Sequence, residues 1–64
     1  MAKFDVDVQL SGSDGNAFAI MAKVQRALKT AGANDLEVKE YLDESMSGDY
    51  DHLLQTAMNW VNVS

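Results

Sequence analysis

Residues 3–10, KFDVDVQL, alternate without a break between polar and apolar side chains. Phe4, Val6, Val8 and Leu10 fall on one face, and Lys3, Asp5, Asp7 and Gln9 on the other. Period-two alternation of this kind belongs to a strand with one face in a core and one in water. A strand must pair. The other alternating stretch is WVNVS at residues 60–64, where Val61 and Val63 alternate with Trp60, Asn62 and Ser64. The pattern therefore predicts that the two ends of the chain meet in a two-stranded sheet. The outward aspartates of the first strand discourage edge-to-edge association.

Between the two strands the period is helical. From Asn16 to Ala31, the residues Ala17, Ile20, Met21, Val24, Ala27, Leu28 and Ala31 form one stripe, with Lys23, Arg26 and Lys29 opposite. Basic residues late in a helix suit its negative end, and Gly32 stands where a left-handed residue would close it. Phe18 projects beside the stripe. A second helix is expected over about 35–46, capped by Asn34 or Asp35, with Val38, Tyr41, Leu42 and Met46 inward. A third is expected over about 50–60, capped by Asp49. There Tyr50, Leu53, Leu54, Ala57, Met58, Trp60 and Val61 face inward, and His52, Gln55, Thr56 and Asn59 face water. Gly12, Gly15, Gly32 and Gly48 all fall between elements. The fold predicted is one α+β domain over residues 1–64: strand, helix, helix, helix, strand, with three helices packed on one face of the sheet.

At 64 residues, such a domain buries only about 60% of its unfolded surface and is marginally stable. The chain has no cysteine and one histidine, so neither a disulfide nor a thiolate or polyhistidine metal site can brace it. Good packing or self-association remains, and a homodimer is expected from the small core and from Phe18. No apolar run is long enough for a membrane span and no signal-peptide pattern is present, which predicts a cytoplasmic protein.

The stretch LSGSDGNAFAIM, residues 10–21, has the outline of a phosphate loop: strand, glycine-rich turn, helix start. Its details do not fit. A Walker loop needs Lys and Ser or Thr after its second glycine, and a dinucleotide loop needs three glycines. Here Asp14 would repel a phosphate, and the next lysine is Lys23. The reading favoured is a turn in which Ser13 or Asp14 caps the first helix. A small-ligand or nucleotide-binding protein using residues 11–16 is the alternative function. In DYDH, residues 49–52, Asp49 and His52 share a helix face, but a metal or catalytic centre needs more convergent groups. Glu40 and Glu44 are one turn apart without the calcium-loop pattern. No nucleophile elbow accompanies the single histidine. No enzyme activity, cofactor or metal is predicted, and replacing His52 should change stability only slightly.

Charge is unevenly spread. Residues 1–32 carry four cations and three anions, whereas residues 33–64 carry Lys39 against seven anions. The formal net charge is −5. An acidic chain is repelled by nucleic acid, which excludes direct binding to it, and is suited to a basic partner. Glu37, Glu40, Asp43 and Glu44 gather on the outer side of the second helix, with Asp49 and Asp51 soon after. These six and Phe18 are the candidate partner-binding residues. Reversing the charge of Glu40 and Glu44 is expected to leave the fold intact and to slow association.

The stretches GNAFAIMAKVQRALKTAG and SGDYDHLLQTAMNWVNV, and most specifically DGNAF at 14–18 and SGDYDHLL at 47–54, resemble a family of small proteins of phage or prophage type with no assigned activity. The resemblance spans residues 5–63. It implies a bacterial cytoplasm and supplies no catalytic residue. By analogy with other small acidic phage proteins, it implies an inhibitor that occupies a host or defence protein, as anti-CRISPR proteins do.

Overall fold

The computed structural model describes residues 2–10 and 16–64. The elements are β1 (Asp7–Val8), α1 (Ala17–Thr30), α2 (Asp35–Ser45), α3 (Tyr50–Trp60) and β2 (Asn62–Val63). The strands pair in parallel, Asp7 opposite Asn62 and Val8 opposite Val63. Parallel neighbours require a long crossover, and here the crossover is the whole helical layer. The expected α+β order is present.

The first strand is shorter than its alternation suggests. The Asn62 and Ser64 N–H groups donate to the Val6 and Val8 carbonyls at 2.9 and 3.0 Å, and the Leu10 N–H donates to Ser64 O at 3.0 Å. Upstream, the Lys3 and Phe4 N–H groups instead donate to the Asn59 and Trp60 carbonyls at 2.8 Å. Residues 3 and 4 thus satisfy carbonyls at the end of α3 rather than extending a ladder, because β2 does not begin until Asn62. The alternation still holds as a burial pattern. Val8 and Leu10 are buried, Phe4 and Val6 half-buried, and the four intervening polar residues exposed.

Local chemistry sets the helix ends. Asn16 caps α1, its side-chain oxygen accepting from the Ala19 N–H at 3.1 Å. This displaces Ser13 and Asp14, which lie outside the described residues, as the expected caps. The helix closes with the Gly32 N–H on Lys29 O and the Ala33 N–H on Leu28 O. Gly32 carries φ 98°, a conformation that costs an L side chain. Asn34 and Glu37 form a reciprocal capping box at the start of α2, with bonds of 2.8 and 3.0 Å. Asp49 caps α3 as expected, accepting from the His52 N–H at 2.9 Å.

The core joins Val8 and Leu10 to Ile20, Val24 and Leu28 of α1, Val38 and Tyr41 of α2, and Leu53, Ala57 and Trp60 of α3. Each large aliphatic or aromatic side chain buried here contributes about 1.5–3 kcal/mol against exposure. Trp60 is the hub. Phe4 stacks on it at 6.0 Å, Tyr41 meets it edge-on at 5.8 Å, and Lys3 Nζ lies 4.4 Å from its ring centroid. Three large residues expected in the core turn outward: Met46 is 60% exposed, Met58 53% and Tyr50 37%. Thr56, expected in water, is buried, its hydroxyl donating to His52 O at 2.8 Å. The inward face of α3 is centred on Leu53, Thr56, Ala57 and Trp60, which rotates Met58 out.

Candidate protein-interaction face

The acidic residues of α2 and of the start of α3 divide by what their carboxylates already do. Glu37 is half-buried in the capping box, and Asp49 is engaged in capping α3. Glu44 accepts the indole N–H of Trp60 on Oε2 at 2.8 Å. A buried indole N–H needs an acceptor, and Glu44 supplies it from the next helix. Glu44 is therefore a structural residue as well as a surface charge. Reversing it to lysine would remove that acceptor, which corrects the expectation that the fold would not feel the change. Glu40, Asp43 and Asp51 are exposed and make no side-chain hydrogen bond among the described residues.

The link between α2 and α3 is held by His52. Its Nε2 lies 2.9 Å from Glu44 O and 3.0 Å from Ser47 Oγ. A carbonyl cannot donate, so Nε2 carries the proton and donates to both. The Ser47 hydroxyl in turn donates to Glu44 O at 2.7 Å. A Cβ on Gly48 would sit 2.8 Å from both Cβ and Cγ of His52, so a glycine is required for the imidazole to lie there. His52 is thus a half-buried brace of the turn, not the outward-facing residue its helical position suggested.

Phe18 is 79% exposed, in the first turn of α1. Beside it a groove of about 270 Å³ runs between the start of α1, the end of α2 and the start of α3. Phe18, Met21, Met46, Tyr50 and Asp49 are among the residues that line it. Phe18 in α1, Met46 just past α2 and Tyr50 in α3 expose their apolar surfaces around one depression. Two of the residues proposed from the sequence, Phe18 and Asp49, are brought together here. Glu37, Glu40, Asp43, Glu44 and Asp51 do not line the groove. Met46 and Tyr50 were missed because their helical spacing matches that of core residues. The signal available was position, since both sit at helix ends, where the stripe has no neighbour to cover it.

Among the described residues, the buried Tyr41 and Ser45 hydroxyls have no hydrogen-bond partner of good geometry. Burial pushes the Tyr41 phenol up, opposed by the nearby Ser45 hydroxyl. Among the described residues, no group of three or more Asp, Glu and His side chains is arranged to hold a metal ion. No helix among the described residues is long and apolar enough to cross a membrane. Residues 11–15 of the loop offered as an alternative ligand site lie outside the described residues. The chain matches no protein-family model, no curated protein and no solved structure.

Proposed function

We propose that the protein is a non-enzymatic interaction module that binds a partner protein through the Phe18–Met46–Tyr50 groove and the acidic surface beside it. The observation that carries the reading is the convergence of three large exposed side chains, from α1, the end of α2 and α3, around one depression that Asp49 also lines. Clustered exposed apolar surface rimmed by polar groups is what partner-binding sites have in common, and aromatic anchors supply much of their affinity. The uncommitted carboxylates of Glu40, Asp43 and Asp51 add a negative field that steers a basic surface toward the groove. The resemblance to phage proteins supports a bacterial host protein as that partner, and inhibition by occupancy as the outcome.

The test is affinity capture from bacterial lysate with the parent and with a Phe18→Ala/Met46→Ala double variant, whose fold is checked by circular dichroism. The reading expects one protein retained by the parent and lost with the folded variant. Equal retention by both, or no specific retention by the parent, overturns it. Sedimentation showing that the groove is closed by a second copy would overturn it as well.

A further inference from the structure

A second groove, of about 370 Å³, runs along the outer edge of β1 and shares no lining residue with the first. It is lined by residues 6–9 and by Lys23, Arg26, Ala27 and Thr30 of α1. The β1 hydrogen bonds define which backbone groups face it. The Val6 and Val8 carbonyls and the Leu10 N–H are taken up by Asn62 and Ser64. Backbone groups alternate in direction along a strand, so the Asp7 N–H and C=O point to the opposite edge, and neither has a partner among the described residues. Two residues on, Lys23 Nζ reaches Gln9 O at 3.4 Å. A strand edge with outward backbone groups beside a cleft, as at Asp7, is the arrangement used when a peptide joins a sheet.

We propose that this edge accepts an extended segment of a partner protein as a third strand of the sheet. Charge specifies the segment. Side chains of an added strand would alternate between the α1 side, where Lys23 and Arg26 stand, and the open side, where Asp5 and Asp7 are exposed. The matching segment carries acidic residues at every second position and neutral or basic residues between them. A second copy of β1 has the wrong pattern. It would set Asp5 and Asp7 beside their own equivalents and aim Val6 and Val8 at the two cations, and like charges directly opposite are unfavourable. The edge therefore selects a foreign strand and rejects its own.

The probe is a capped hexapeptide of alternating threonine and glutamate, titrated into the ¹⁵N-labelled protein, with alternating threonine and lysine as the control. The expected result is saturable shifts confined to residues 6–9 and 23–30, with slowed hydrogen exchange of the Asp7 amide, for the acidic peptide alone. Lys23→Glu/Arg26→Glu, which changes only exposed side chains, should weaken binding about tenfold. Asp7→Pro should abolish the protected amide while keeping the β2 ladder. Equal binding of the lysine peptide, shifts centred on Phe18, a rise in protein mass without peptide, unaltered affinity of the double variant, or no binding each overturns the proposal.

Discussion

The indole N–H of Trp60 donates to Glu44 Oε2 at 2.8 Å, across 16 residues of chain. The bond ties the last turn of α3 to the last turn of α2 beneath the stacked ring of Phe4. Glu44→Gln keeps an oxygen acceptor and should fold with nearly parental stability. Glu44→Leu leaves the N–H without a partner and should lower stability by about 1–3 kcal/mol. Urea denaturation followed by the fluorescence of the single tryptophan checks both. Equal stability of the two variants would show that the bond contributes nothing.

Gly48 and His52 are coupled by space. Gly48→Ala drives a methyl group into the imidazole and should cost about 1–3 kcal/mol, the usual range for overpacking. His52→Ala removes the bonds to Glu44 O and Ser47 Oγ and should cost about 1 kcal/mol. In the double variant the Cγ and Cδ2 contacts are gone and only the Cβ contact remains, so the clash is partly relieved and the loss should fall below the sum of the two single losses. A double-mutant cycle in urea measures the difference, and strict additivity would contradict the geometry.

Gly32 tests a different mechanism. Nothing lies within 4 Å of a Cβ built there, so its requirement is φ 98° alone. Gly32→Ala should lower stability by about 1–2 kcal/mol, and Gly32→Asn by less. Thermal unfolding ranks the three. Alanine and asparagine variants equal to the parent would remove the closing turn of α1 from the account.

Tyr41 provides the pH prediction. Its phenol is raised above the ordinary tyrosine range by burial, so the folded chain holds that proton more tightly than the unfolded chain. The associated stability is full below the unfolded phenol value, near pH 10, and is lost as pH rises through the folded one. Tyr41→Phe should flatten the alkaline fall in stability. It should also be close to neutral at pH 7, since the buried hydroxyl it deletes makes no hydrogen bond of good geometry among the described residues. Denaturation midpoints of parent and variant between about pH 8 and pH 11 test it.

The sequence carried those features that local chemistry determines. The meeting of the chain ends followed from two alternating stretches, and Asn34, Asp49 and Gly32 were readable as helix punctuation because caps depend on one or two side chains. Features set by tertiary contact were hidden. The parallel direction of the strands depends on the path of three helices. The exposure of Met46, Tyr50 and Met58 depends on which face each helix turns toward its neighbours. Glu44 looked like one more surface charge because Trp60 lies 16 residues away. The candidate site was half legible. Phe18 stood off its stripe, but Met46 and Tyr50 read as core.

The central claim is that the Phe18 groove binds a partner, and one comparison tests it most directly. Phe18 and Leu36 are both large, apolar and exposed, at 79% and 65%, but only Phe18 lines the groove. Both alanine variants should fold within about 0.5 kcal/mol of the parent. The measurement is the affinity of each for the partner captured from lysate, by isothermal titration calorimetry. The account predicts at least about tenfold weaker binding for Phe18→Ala, as expected of an aromatic anchor, and parental affinity for Leu36→Ala. Parental affinity for Phe18→Ala, or equal losses in the two variants, would contradict it.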